Sequence, residues 1–348
     1  MTDSLPLLLP TDDFWSRRAN AQAHAFECAP YGIPTRMTAN DPDVLRAAQS
    51  SARRYSTAAG EGSTSDPITI QIVVRQAADA PVPDDLPEQL VYSGVGEWIT
   101  VAAGAWGHGF ANLRTRSACI FLARALAEEV RLVSRYFIDH YVLNLALTEW
   151  AMLHASCVLD PGREHLILMV AAHNTGKSTT ALHLLRAGYV FLSDGMALLR
   201  QDTGRWIVGG YPIGEVKLRD DVLAWFPEYS GETTRVREQQ KTIVDLRAAH
   251  PNRVAEALIA PAQIHLCFVE RRDRSDTQLT PADRADAAQM LSANTVFWNE
   301  SAQLEHNTAT LHHLLQTASL HRLFLGADPD GISTALNQLT NHPTNQPN

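Results

Sequence analysis

The chain has 348 residues, 45% hydrophobic and 19% charged, which is ample material for a core and, by length, implies two domains. Its 38 acids against 29 bases leave a net charge of −9, which excludes a sequence-independent nucleic-acid binder, since that needs a basic face. Cys28, Cys119, Cys157 and Cys267 form no CxxC pair and have no histidine at zinc-ligand spacing, so a disulfide framework is excluded and a reducing compartment expected.

In chain order, the segment MTDSLPLLLPTDDFW has an apolar patch without a preceding positive charge, and reads as a loose arm rather than a signal peptide. Residues 51–66 are small and polar, and predict a flexible loop. Residues 67–73 and 98–103 predict strands. Cys119, Leu122, Leu126, Val130 and Val133 recur at helical spacing, so 115–134 predicts an amphipathic helix, and 136–152 a more apolar one. This front part reads as a smaller, divergent α+β domain over 1–135.

The texture changes near Leu153. Residues 153–159 predict a strand, Asp160-Pro161-Gly162-Arg163 a turn, and 165–171 a strand buried on both faces. Leu166 to Ala172 is the longest clean apolar stretch near the middle, far short of the ~20 residues a bilayer needs, so neither a membrane partner nor a location outside the cytoplasm is expected. A helix from Lys177 to Ala187, ended by Gly188, and a strand at 189–193, closed by Asp194-Gly195, come next. Further strands are predicted at 196–200, 205–208, 242–246 and 264–269, and mostly helix over 281–338. The second domain is thus α/β over 136–340, and 341–348 predicts a disordered tail.

The segment from Ala171 to Thr179 matches the phosphate-binding loop GxxxxGK[ST] at every fixed position but the first, where Ala171 replaces glycine. A strand that ends in such a turn points successive backbone N–H groups at a phosphate, and the following helix adds its positive end. His173, Asn174, Thr175, Gly176, Lys177, Ser178 and Thr179 are therefore the expected nucleotide contacts. Lys177 supplies charge to the outer phosphates, and the Ser178 hydroxyl completes a Mg²⁺ shell.

Length arithmetic places Asp194. A helix of about eleven residues rises ~16 Å, and the next strand runs forward again at ~3.3 Å per residue. Asp194 then returns to the loop's edge, where an acid suits a metal or a proton acceptor. With the turn centred between Pro161 and Gly162, paired residues sum to about 323, which sets His154 opposite Met169. His154, Lys177 and Asp194 converge on one edge.

The run LHASCVLDPGREHLILMVAAHNTGKSTTALHLLRAGYVFLSDGMALL resembles the catalytic core of the HPr serine kinase family, most closely its stand-alone related branch. The likeness is good over about 150–200 and continues loosely through Tyr211-Pro212-Ile213, Val216-Lys217-Leu218 and Lys241-Thr242-Ile243-Val244. It implies an HPr-kinase-like fold, of the PEP-carboxykinase-like kind, and ATP and Mg²⁺ as cofactors. Lys177 and Ser178 would hold the phosphates and Mg²⁺, and Asp194 would take the acceptor hydroxyl's proton. His154 would position Asp194, Lys217 would lie near the nucleotide or acceptor, and the chain would form a homo-oligomer. Two departures stand: Gly195 replaces the second acid of the family's pair, and the glycine-rich signature of the bifunctional enzymes is absent.

Two functions remain open on the sequence. One is γ-phosphoryl transfer to a hydroxyl of a peptide, a protein or a small molecule, with the polar stretch 230–241 read either as a solvated loop or as a mobile segment that closes over the acceptor, Arg235 and Arg237 meeting phosphate charge. The other is a catalytically degenerate nucleotide-binding scaffold, which Ala171 and Gly195 favour. A GTPase or transport ATPase lacks its NKxD-like or LSGGQ-like signature here, and Asp194 follows Lys177 too soon. Trp206, Trp225 and Trp298 are too widely spaced for a base-stacking platform. His306, His312, His313 and His321 have no carboxylate partner at metal spacing.

Overall fold

The computed structural model describes residues 24–57, 66–75, 81–236, 239–272, 275–294 and 301–340. The expected N-terminal arm and C-terminal tail, Arg237 and Trp298 lie outside them, as does 58–65 of the expected loop. The chain divides into two compact units between Thr148 and Glu149, whereas the sequence suggested a junction at 135/136. The segment after 135 packs into the first unit: Asp139 is ion-paired with Arg54 at 2.7 Å, and the Tyr141 ring lies where a Cβ on Gly109 would stand, 2.9 Å away.

In the first unit an eight-stranded mixed sheet runs in the order β3-β1-β2-β4-β8-β7-β6-β5. The strands are β1 (His24–Pro30), β2 (Thr35–Ala39), β3 (Ser56–Thr57), β4 (Ile68–Arg75), β5 (Val91–Val95), β6 (Trp98–Ala102), β7 (Gly107–Asn112) and β8 (Ser117–Ala123). Helix α1 (Leu45–Ala52) and β3 occupy the start of the expected 51–66 loop. The helix expected over 115–134 is also corrected. β8 pairs parallel with β4 and antiparallel with β7, and a helix begins only at Arg124. Cys119 and Leu122 satisfy a helical spacing, but their neighbours Ala118 and Ile120 are equally buried, as a central strand covered on both faces requires.

The second unit is built on a nine-stranded mixed sheet. Its strands include β9 (Ala151–Leu153), β10 (Ser156–Leu159), β11 (His165–Val170), β12 (Val190–Asp202) and β13 (Arg205–Ile213). A separate three-stranded sheet holds β14 (Glu215–Leu218), β15 (Glu232–Val236) and β16 (Gln239–Asp245). β17 (Leu258–Ile259), β18 (Gln263–Arg271), β19 (Gln278–Pro281) and β20 (Ser319–Leu325) complete the large sheet, in the order β17-β13-β12-β10-β11-β18-β20-β19.

β11 explains the layering. Ile167, Met169 and Ala171 share a core with Leu182 and Leu185 of helix α2 (Lys177–Arg186). Leu166, Leu168 and Val170 face the other way. They share a second core with Leu291 of α3 (Arg284–Ala293) and Leu311, Leu314 and Leu315 of α4 (Ser301–Thr317). Ile332 and Leu336 of α5 (Asp330–Thr340) join the first core. A sheet with helices on both faces buries its central strands twice over, hence the unbroken apolar run His-Leu-Ile-Leu-Met-Val. A fully buried leucine here contributes about 1.5–3 kcal/mol.

Two further expectations are revised. The strand at 189–193 does not close at Asp194-Gly195. It runs on to Asp202, 13 residues in all from Val190, with a bulge between Ser193 and Met196. The expected helical tail is interrupted by β20, which pairs parallel with β18, and only a tertiary partner makes that short segment a strand.

Candidate functional site

The segment from Ala171 to Gly176 turns the chain from the end of β11 into α2. Asn174 at φ 62° and Gly176 at φ 116° reverse the backbone's hand. A Cβ at Gly176 would be strained by that φ, and would lie 3.1 Å from Leu325 Cδ1. The Thr175 hydroxyl donates to the Ala172 carbonyl at 3.0 Å, which tightens the turn. Ala171 is buried in the core and does not have a positive φ, so its methyl group fits where the motif has glycine.

The Lys177 ammonium donates to the carbonyls of Ala171 at 2.7 Å and Ala172 at 3.1 Å, so it folds back across the loop. The side chain is buried, and burial pulls its pKa below the ordinary lysine value, against the opposing pull of Asp194. Ser178 and Thr179 are half-buried in the first turn of α2, while His173 and Asn174 are exposed.

On the other side of β11 the register differs from the expected one. Ser156, not His154, lies opposite Met169. The connection is a four-residue loop over 161–164 rather than a two-residue Pro-Gly turn. The Asp160 carboxylate accepts from the backbone of Gly162 (3.0 Å), Glu164 (2.9 Å) and His165 (2.7 Å), which holds the loop open by two more residues. His154 thus falls in the break between β9 and β10, two residues nearer the loop than expected.

β10 pairs antiparallel with β12, and Ser156 faces Asp194 across the pair. The Ser156 hydroxyl donates to Asp194 Oδ1. The His154 ring packs against His173 with centroids 5.3 Å apart, and bonds to the Gly195 backbone. Burial first, then the Lys177 charge, lowers the His154 pKa, so the imidazole is neutral at pH 7. The structure therefore brings His154, His173, Lys177 and Asp194 to one edge of the sheet, with Ser156 as a fifth member the sequence reading missed. At Gly195 a Cβ would lie 3.1 Å from the Tyr211 carbonyl oxygen, so a side chain in place of Gly195 needs that backbone to give by a few tenths of an ångström.

Other expected contributors lie elsewhere. Lys217 is exposed on β14, outside the lining of the neighbouring cavity. The described residues of 230–241 belong largely to β15 and β16, which pair antiparallel with Arg235 opposite Gln240. Among the described residues no group of three or more His, Cys, Asp or Glu side chains could hold a metal, and no helix is long and apolar enough to cross a membrane.

A cavity of about 880 Å³ opens beside the loop. Gly176, Thr180 and His183 of the loop and α2 form one wall, Trp225 another, and Arg271 and Gly326 the sheet end. Its residues come from separated segments, so no local pattern announced it; only the Arg271-Arg272 pair at the end of an apolar strand was a signal.

No family model matches the chain, and no curated protein matches it. Among solved structures, the chain is similar to the Hpr(Ser) kinase/phosphatase from Coxiella burnetii, at 11% identity and a TM-score of 0.31, over 54% of this chain and 90% of that one. That likeness is too slight to bear on fold or activity.

Proposed function

We propose that the second unit is a phosphotransferase: it binds Mg·ATP on the 171–179 loop and passes the γ-phosphoryl group to a hydroxyl of a peptide, protein or small molecule. One observation carries the reading: a carboxylate, Asp194, held by the Ser156 hydroxyl at the same edge as a buried lysine at a helix start. The likeness of 150–200 to HPr serine kinases agrees with it; a homo-oligomer is the assembly that likeness suggests, and the composition suggests action in the cytoplasm.

The residues present suit the nucleotide. The loop's reversed backbone and the ten-residue helix α2 present N–H groups and a positive helix end to a phosphate. Lys177 exchanges its two carbonyl partners for phosphate oxygens. The Ser178 hydroxyl and the Asp194 carboxylate are hard oxygen donors of the kind Mg²⁺ takes, and the ion, when bound, neutralises charge on the phosphates. Asp194 accepts the acceptor hydroxyl's proton as its oxygen forms the new P–O bond, and the γ–β bridging bond breaks to release ADP. His154, neutral and bonded to the Gly195 backbone, fixes the bulge that carries Asp194. Catalysis of this kind rests on positioning and charge more than on covalent chemistry.

A scaffold that binds nucleotide without transfer is the second reading, and the close Gly195–Tyr211 approach favours it, because a second acid at Gly195 would need the Tyr211 backbone to give by a few tenths of an ångström. Asp194→Asn separates the two. Transfer from γ-labelled ATP to a panel of Ser, Thr and Tyr peptides and polyols should fall by about 10²–10⁴, with Mg·ATP binding retained. Wild type that binds Mg·ATP and labels nothing decides for the scaffold.

A further inference from the structure

The 880 Å³ cavity beside the loop lies on the opposite side from Asp194. In sheet order, β10, which follows His154, and β12, which carries Asp194, flank β11 on one side, and β18 and β20 flank it on the other. Arg271 ends β18 and Leu325 ends β20, and both line the cavity. The two sides lie one to two strand spacings, ~5–10 Å, from β11 in opposite directions.

We infer that this cavity takes the nucleoside half of the nucleotide, so that the triphosphate runs across the loop with its terminal phosphate toward Asp194. The inference rests on the loop reading above. If the phosphates sit over β11 and the γ-phosphate reaches Asp194, the nucleoside has the β18–β20 side left to it, and there a cavity stands ready.

The chemistry of the walls fits a flat aromatic ring joined to an anion. Trp225 is a large apolar side chain that is 55% exposed, and it borders the cavity with Val222 and Ile332. Such a ring offers a stacking face to a base. Arg271 Nε donates to the Thr175 carbonyl at 3.1 Å, which places a guanidinium where loop and cavity meet, beside the first phosphate. Thr180 is fully buried with its hydroxyl unpartnered, and it lines the same cavity. A buried hydroxyl without a partner is costly, and a ribose or base acceptor there would satisfy it. A volume of this size lies within the range of small-ligand sites.

The test compares Mg·ATP with Mg·tripolyphosphate, which has the phosphates and no nucleoside. Both are titrated calorimetrically into the full chain, as wild type, Trp225→Ala and Ala327→Trp. Trp225 is exposed, and Ala327 is an exposed wall residue whose enlargement fills the cavity. Wild type should bind ATP at least tenfold more tightly than tripolyphosphate. Trp225→Ala should lose about tenfold in ATP affinity, and Ala327→Trp should bring ATP down to the tripolyphosphate level. Tripolyphosphate affinity should stay within twofold in both, which also reports that the variants are folded. ATP affinity unchanged in both variants overturns the cavity assignment and leaves the loop reading intact. Wild type that binds neither ligand overturns the loop reading and this inference with it.

Discussion

Three histidines form a chain across the sheet, at the end away from the loop. His165 Nδ1 lies 3.1 Å from His265 Nε2, and His265 Nδ1 lies 3.5 Å from His321 Nε2, so the chain crosses β11, β18 and β20. His265 is 3% exposed, and burial, reinforced by the charges its two neighbours would carry, pushes its pKa down to about 4. The Asp160 carboxylate pulls the other way and does not win. The unfolded chain binds this proton near pH 6.5 and the folded chain only near pH 4, so stability is intact above about 6.5 and is lost as the pH falls toward 4. From the two values the loss between pH 7.5 and 4.5 is ~2.5 kcal/mol from His265 alone. Hydrogen exchange at the β18 amides, corrected for intrinsic rates, reads the opening free energy of this unit. His265→Gln keeps an amide for hydrogen bonding and removes the titration, and should flatten the profile by about that ~2.5 kcal/mol. The reasoning is refuted if wild type and His265→Gln lose protection in parallel over that range.

Two further outcomes test the loop. Lys177→Ala should abolish the thermal stabilisation by Mg·ATP, about 2.7 kcal/mol at a hundredfold excess over Kd, which differential scanning fluorimetry detects as a lost rise in Tm. Gly176→Ala should cost about 1–2 kcal/mol, because φ 116° is unfavourable for alanine and its methyl would press on Leu325. Mg·ATP affinity should fall with it, measured by the same titrations, and an unchanged affinity would argue against a rigid phosphate cradle.

The segment 165–186 was legible because its signals are local. An unbroken apolar run, a Gly-Lys-Ser at a helix start and a closing glycine each act within a few residues. Asp194's return to the loop's edge was legible as well, since a helix and a strand of comparable length carry the chain out and back. The His154 register slipped because Asp160 spends its carboxylate on three backbone groups and widens the turn, a contest that spacing alone does not reveal. β8 and β20 were misjudged for another reason: short apolar segments suit a helix face and a covered strand equally, and β4, β7 and β18 decided between them.

By itself, then, the sequence determined the loop, its lysine and the acid that follows it, because bond lengths and residue periodicities carry those placements along the chain. Which side groups meet there was decided by tertiary structure alone. Ser156 reaches Asp194 only across a paired strand, Gly195 is held against Tyr211 only by a bulge, and the cavity joins Thr180, Trp225 and Arg271 from distant segments. Such contacts depend on strand order and packing, which no local stretch encodes.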